Sequence, residues 1–431
     1  MTRFIQAGTR TAAIIACTLG GAAAGAQSIA SRVAAAGQGE VRMTFATRAN
    51  VCGDGGSVVA VNDGFTMYPS MESYGRWSNT TCVPGRARVA LRVGAGGVET
   101  IRTRVGGSWE ASSERVTDLG AVPAAGAAAY FLDLVDKSDG RVARNALLAA
   151  VIADSADVVP RLLSIAERTA VPTDTRRRAI HWLGVFGDAS MIRPLTALAR
   201  SSDDDKQSVG EAALFALSRA SEGAGIPALI DLARHAPATA LRSEAVFWLG
   251  QSDDASGRRE VRAIAGDNSV AVEVREKAIF ALGQRDAARA DDFCFLRDLF
   301  GRVDNPKLRE RILMAVSQSD DRDGQRWLLS VARDESASTE ARKKAIFWAG
   351  QSDVSSTAEI AGVYDKTSNE SVKEHTIFVL SQRDDQAATD KLMAIVNGHD
   401  SPELRKKALF WLGQKDDPAV TRAIADLVTR P

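Results

Sequence analysis

One short segment recurs along the second two-thirds of this 431-residue chain, and its regularity restricts the fold more than any other feature. It reads Ala179-Ile180-His181-Trp182-Leu183-Gly184, then Ala245-Val246-Phe247-Trp248-Leu249-Gly250, and later Ala408-Leu409-Phe410-Trp411-Leu412-Gly413. Variants start at Ala213, Ala278, Ile312, Ala345 and Thr376, and a degenerate copy at Ala146. Successive starts lie 31 to 34 residues apart over nine copies. Self-similarity at such a period marks stacked supersecondary units, each unable to bury its apolar face alone.

Each unit is built alike. A basic residue stands three before the anchor position: Arg176, Arg242, Arg275, Arg309, Arg342, Lys373, Arg405. The anchor helix ends at Gly or Ser, followed by Gln and an acidic turn such as Ser252-Asp253-Asp254. Aspartate there suits the N-cap of the next helix, because its carboxylate accepts from free backbone N–H groups. A second helix with Leu195 and Leu198 spacing follows. Two antiparallel helices per unit, stacked, predict an α-solenoid.

The pattern Arg-x-x-Ala-x-x-x-Leu-Gly, then Asp and a Leu-rich helix, resembles the short HEAT-like repeat of the kind also named for phycobilisome lyase subunits. The resemblance spans residues 121–431. It implies an all-α, right-handed α-solenoid of about nine helical hairpins and a scaffolding or binding role. The bilin-lyase activity of some members is not expected beside an unrelated β-rich front segment. Iron-dependent HEAT-like hydroxylases carry paired His-Glu motifs. This chain has no His-Glu dipeptide, and its four histidines are scattered (181, 235, 375 and 399).

Residues 41–120 have a different texture. Val41–Ala46, Arg88–Val93 and Val98–Val105 alternate apolar and polar residues, the signature of half-buried strands. Gly94-Ala95-Gly96-Gly97 between the last two signals a hairpin. The intervening segment is loop-rich, with Asp54-Gly55-Gly56 and Asn62-Asp63-Gly64. A Cys52–Cys82 disulfide is expected to tie its ends together, stabilising a thin core by about 2–4 kcal/mol. Cys294 reads as a buried free thiol.

The first 26 residues read as a signal peptide. Arg3 and Arg10 supply the charge, Thr11–Gly25 the small apolar stretch, and Ala24-Gly25-Ala26 the cleavage pattern. The sequence Ile14-Ile15-Ala16-Cys17 also resembles a lipoprotein box, which would make Cys17 a lipid anchor. Either route places the protein in the periplasm or outside a bacterial cell. No other stretch is apolar enough to span a bilayer. Without the leader, 52 basic residues face 54 acidic ones, a balance that argues against nucleic acid or an anionic membrane as the main partner. The organisation expected is therefore a signal peptide (1–26), a linker (27–40), a small β-rich domain (41–120) and the helical array (121–431).

A helical wheel separates packing positions from candidate contact positions. With the anchor residue as position 0, positions 0 and +4 face the partner helix and +1 and +3 face the neighbouring units. The tryptophans at +3 (182, 248, 348 and 411) alternate with small residues and read as interdigitated packing. Positions +2, +6 and −1 point away from the core. Position +2 holds His181, Phe215, Phe247, Phe280, Met314, Phe347, Phe378 and Phe410, and position +6 holds Gln251, Gln284, Gln318, Gln351, Gln382 and Gln414. Arg178, Lys277, Arg311, Lys344 and Lys407 stand at −1. This predicts a Phe and Gln stripe, flanked by Lys and Arg, along the concave face, a surface type that usually marks binding. Alternatively the rings fold sideways onto one another and the glutamines bond to nearby loops. Both hold if the ladder floors a groove. The Arg at −3 and the Asp after Gln are expected to form inter-repeat ion pairs.

No chemistry-bearing motif emerges. Gly94–Gly97 lacks the Lys-Ser/Thr and helix of a phosphate loop, Gly-x-Ser-x-Gly is absent, and acidic pairs such as Asp320-Asp321 read as turn caps. No catalytic, cofactor or metal residue is assigned and the chain is not expected to be an enzyme. The leading expectation is an exported scaffold that binds a protein or peptide on the concave face. The alternative is an envelope ligand- or glycan-binding protein that uses the β domain, where Tyr68, Tyr74, Trp77 and Trp109 either line a surface or form the core, with the solenoid as spacer.

Overall fold

The computed structural model describes residues 28–56, 58–61, 65–67, 74–75, 82–138, 140–201, 207–252, 254–284, 290–318 and 322–415. The leader and Cys17 lie outside these residues, as do Tyr68 and Trp77. The chain divides into two compact units, Met1–Ala156 and Asp157–Pro431.

The first unit opens with α1 (Ile29–Ala36), capped by Ser28, so the stretch expected as a linker carries a helix. Two antiparallel-dominated sheets follow. The larger contains β1 (Gly39–Phe45), β7 (Ala87–Gly94), β8 (Gly97–Val105) and β9 (Val116–Ala121), in the order β8-β7-β1-β9, with β9 parallel to β1. The expected alternation is realised in β1, where Val41, Met43 and Phe45 are buried, but not in β7, where Ala87–Leu91 is buried on both faces. The β7–β8 hairpin turns at Gly94–Gly97, with Gly97 at φ 112°. The smaller sheet contains β2 (Val51–Gly53), β3 (Val59–Val61), β4 (Phe65–Met67), β5 (Tyr74–Gly75) and β6 (Val83–Pro84), in the order β5-β4-β3-β2-β6. The segment read as loop therefore carries short strands. Cys52 on β2 is bonded to Cys82 beside β6, with Cα atoms 5.3 Å apart.

A helical hairpin, α2 (Ala124–Val135) and α3 (Gly140–Val151), belongs to this unit, so the compact boundary falls after residue 156 and not near 120. Phe131 of α2 meets Phe45 with ring centroids 6.3 Å apart. Asn145 of α3 donates to the Ile101 carbonyl at 2.8 Å. The degenerate repeat copy at Ala146 thus packs against a sheet.

The second unit is a stack of helical hairpins. Its helices are α4 (Val159–Glu167), α5 (Thr173–Phe186), α6 (Ile192–Arg200), α7 (Gln207–Arg219), α8 (Ile226–His235), α9 (Thr239–Gln251), α10 (Ala255–Gly266) and α11 (Val272–Gly283). They continue as α12 (Ala290–Phe300), α13 (Pro306–Ser317), α14 (Arg322–Arg333), α15 (Thr339–Gly350), α16 (Thr357–Lys366), α17 (Glu370–Ser381), α18 (Gln386–Asn397) and α19 (Pro402–Leu412). Each even-numbered helix packs mainly on the odd-numbered helix that follows it. The anchor helix is therefore the second member of each hairpin, not the first. With α2–α3 the described residues contain nine hairpins, eight of them in this unit.

Acidic turns cap as anticipated where they are described. Asp254 accepts from the Ser256 and Gly257 amides, and Asp385 from Ala388. The basic residue at −3 does something else. Arg176, Arg242, Arg275, Arg342 and Arg405 donate Nε to the carbonyls of Ala166, Ala233, Ala265, Ala332 and Val396, at 2.9 to 3.2 Å. Those carbonyls close the last turn of the preceding helix and would otherwise lack partners. At these five positions C-terminal caps replace the expected Arg–Asp ion-pair ladder, while Lys373 pairs with Asp400 at 3.0 Å and Arg309 donates to the Val303 carbonyl. Arg342 makes a further bond to Thr367 Oγ1 at 2.6 Å. Arg275 is buried with Nη2 unbonded, because Val303 occupies the repeat position equivalent to Thr367. Val303→Thr is expected to raise stability by about 1 kcal/mol, the worth of one hydrogen bond, measured as a shift of the urea midpoint. A lowered midpoint would show that Arg275 is satisfied otherwise.

The spacing between successive anchor helices follows a two-residue rule. Gly at +5 of one unit meets a small residue at +3 of the next: Gly184 with Ala216, Gly250 with Ala281, Gly283 with Ala315, Gly350 with Val379. Ser218, Ser317 and Ser381 instead precede the units that present Trp248, Trp348 and Trp411. Contact between α5 and α7, α9 and α11, or α11 and α13 is accordingly more extensive than between α7 and α9, α13 and α15, or α17 and α19. Tryptophan acts as a wedge and glycine as a close-approach point. Trp182 is fully buried, whereas Trp248, Trp348 and Trp411 are half-buried.

Candidate partner-binding surface

On each anchor helix, positions +2 and +6 are one turn apart and share a face. Phe215, Phe247, Phe280, Phe347 and Phe378 are half-buried, and Phe410 is 56% exposed. Gln284, Gln318, Gln351, Gln382 and Gln414 are exposed and Gln251 is half-buried. The rings also touch across repeats. His181 stacks on Phe215 at 5.1 Å, Phe215 meets Trp248 edge-on at 5.1 Å, and Phe247 stacks on Phe280 at 6.4 Å. Farther along, Phe378 lies 5.2 Å from Trp411. The rings of Phe215, Phe247, Phe280, Phe347 and Phe378 are thus mostly covered by their neighbours and keep a minor part in solvent, which combines the two arrangements anticipated from the wheel.

Two further side chains join the row, His375 as an added ring and Met314 in place of a phenylalanine. His375, at position −1, sits between Phe347 at 6.3 Å and Phe378 at 5.8 Å. Its place on the wheel was the available signal. Met314 follows Phe280, and Arg311 lies over both, Nη1 3.4 Å from the Met314 sulfur and the guanidinium 6.0 Å from the Phe280 centroid. Burial, with Arg178 and Arg219 nearby, pushes the His181 imidazole down to about 4, so this first rung is neutral at ordinary pH. Burial also lowers His375.

The flank is not a free basic strip. Lys277 pairs with Glu244 at 2.8 Å, Lys344 with Glu310 at 2.7 Å and Lys407 with Glu374 at 2.7 Å, each across a repeat junction. Lys277 also lies 5.0 Å from the Phe247 centroid. Such pairs contribute little stability singly, about 0–1 kcal/mol, but they cancel the field beside the rings.

In the first unit, Trp109 meets two guanidiniums, Arg42 at 5.0 Å and Arg88 at 5.3 Å from its ring centroid. Arg88 is itself buried and donates to the Gly106 and Gly55 carbonyls. Cys294 on α12 is exposed, not buried as its apolar neighbours suggested. No sequence pattern pointed to Asp292, which is fully buried and clamps α10 through Arg258 and Arg262, both at 2.5 Å.

Stacked two-helix hairpins, anchored by a repeated Arg-to-carbonyl cap, decide the fold. The second unit is a helical-repeat α-solenoid. No protein-family profile matches the chain, and no curated protein does. Solved structures do resemble it in fold. Human deoxyhypusine hydroxylase shares 19% identity, covering 58% of this chain and 93% of that one, with a TM-score of 0.27. The complex of the phycocyanin lyase subunits CpcE and CpcF from Nostoc shares 15%, covering 58% and 94%, with a TM-score of 0.28. A microtubule polymerase array of TOG domains, which recruits tubulin, shares 12%, covering 70% and 87%, with a TM-score of 0.24. The expectation that this chain is not an enzyme is overturned here. An enzyme, deoxyhypusine hydroxylase, stands among its fold neighbours. Among the described residues, no helix is long and apolar enough to cross a membrane.

Proposed function

We propose that this protein is exported and serves as an interaction scaffold, holding a protein or peptide along the anchor-helix face of its repeats. The partly exposed aromatic row from Phe215 to Phe410 carries the reading, because the ring area it leaves in solvent, largest at Phe410, gains by being covered. Successive anchor helices approach one another more closely than their partner helices do, which supports placing this face on the inner, concave side. Export rests on the leader-like residues 1–26 and accords with the Cys52–Cys82 disulfide, a bond favoured in oxidising compartments. The phycocyanin lyase subunits, found as a complex, and the tubulin-recruiting TOG array illustrate the same kind of use in other proteins.

The test replaces Phe247, Phe280, Phe347 and Phe410 together by Ser. Helicity by circular dichroism is expected to remain near that of the parent, while crosslinked partners recovered from the native envelope are lost. Removing hot-spot aromatics of this kind typically costs binding about 2 kcal/mol or more each. Global unfolding of the variant would assign the ladder to the core and remove the proposal.

A further inference from the structure

The first helix constrains where an exported chain can be cut. Two small-x-small patterns stand near its start, Ala24-Gly25-Ala26 before Gln27 and Ala34-Ala35-Ala36 before Gly37. By pattern alone either could be the cleavage site. The fold separates them. Ile29, Val33 and Ala36 of α1 are buried in the first unit, and the Arg32 guanidinium donates to the Leu119 carbonyl of β9 at 2.6 Å. A Cβ added at Gly126 of α2 would lie 3.6 Å from Ile29 Cδ1. Ser28 caps the helix, its hydroxyl accepting from the Ser31 amide at 3.1 Å. A cut after Ala36 would remove all of α1 and uncover what it packs on. A cut after Ala26 keeps helix and cap whole, with Gln27 alone ahead of them. A cut before Cys17 would also keep them, but the apolar run in front of it, Thr11–Ala16, is shorter than the roughly 7–15 residues a leader needs.

Gln27 then carries the free α-amino group, and glutamine in that place has a reaction open to it. The α-nitrogen attacks the side-chain amide carbonyl carbon and a new C–N bond closes a lactam ring. The bond to the side-chain nitrogen breaks, and that nitrogen leaves as ammonia with the proton the amine gives up. No oxidant, reductant or co-reactant is required. The helix favours the product. A charged amine one residue ahead of the Ser28 cap is opposed by the positive end of the helix dipole, and no acidic side chain in the first turn offsets it. Ring closure removes that charge. Resting on the export proposed above, we propose that the mature chain begins at Gln27 and is blocked there as pyroglutamate, a modification that shields the cap of α1 from aminopeptidases.

The experiment expresses the full chain, leader included, in a bacterium and isolates it from the extracytoplasmic fraction. Its intact mass is expected to equal residues 27–431 less one ammonia. N-terminal sequencing is expected to fail until pyroglutamate aminopeptidase opens the chain at Ser28. Gln27→Ala is expected to be cut at the same bond, to sequence without that treatment, and to lose its first residue to an aminopeptidase that leaves the parent intact. A free amine on Gln27, or an exported chain that starts at any other residue, lipidated Cys17 included, overturns the inference while export stands. A Gln27→Ala chain as blocked as the parent overturns it too. A chain that keeps Met1 and stays in the cytoplasm removes the export reading itself.

Discussion

Asp292→Ala is expected to destabilise the helical unit by about 3–5 kcal/mol, the usual cost of stranding a buried charge. The carboxylate is fully buried in the first turn of α12, where each oxygen takes one guanidinium, Arg258 and Arg262, from α10. Removing it leaves the buried Arg258 without its counter-charge. Urea unfolding of the variant should show an early transition, because in a stacked array a weakened junction opens before its neighbours. The companion double variant, Arg258→Met with Asp292→Leu, should recover most of the loss, since apolar replacements of a whole buried pair are often neutral. A change below about 0.5 kcal/mol for Asp292→Ala, the scale of ordinary surface substitutions, would refute the clamp.

Gly283→Val should destabilise by at least the roughly 1–3 kcal/mol typical of overpacking, because the obstruction is backbone. A Cβ at Gly283 falls 2.7 Å from the Ala315 carbonyl oxygen and 2.8 Å from its Cα, so α11 and α13 must move apart to admit it. Gly362 on α16 is the contrasting case. Its nearest neighbour would be the end of the Arg333 side chain at 3.7 Å, so Gly362→Ala should gain about 1 kcal/mol from helix propensity alone. Thermal melts of both variants test the rule. Equal and small shifts would show that glycine at +5 is incidental to repeat spacing.

The array was legible because its signals recur. Ala or Thr at position 0 must sit against a partner helix, and nine approximations to one pattern outweigh any single ambiguous copy. The Cys52–Cys82 pairing and the strand around Val41 were readable for similar reasons: few alternatives existed, and period-2 alternation is clear over Val41–Phe45. The role of the arginines was missed, because a basic residue near acidic turns suggests ion pairs, whereas the unsatisfied carbonyls of a helix end are invisible in a side-chain pattern. Asp292 was missed because its partners lie 30 and 34 residues away and only one repeat carries the arrangement. The surface was half legible. The wheel grouped Phe with Gln correctly, but not the cross-repeat pairing of lysine with glutamate that removes the basic flank. That pairing depends on which helices stand side by side.

The tryptophan wedges carry a mechanical consequence. They part the anchor helices into closely packed blocks, α5 with α7, α9 with α11 and α13, and α15 with α17, set off by looser junctions at Trp248, Trp348 and Trp411. A load along the array would bend at those joints first and leave the blocks intact. The stiffness of this spring is written in whether a serine or a glycine closes each turn.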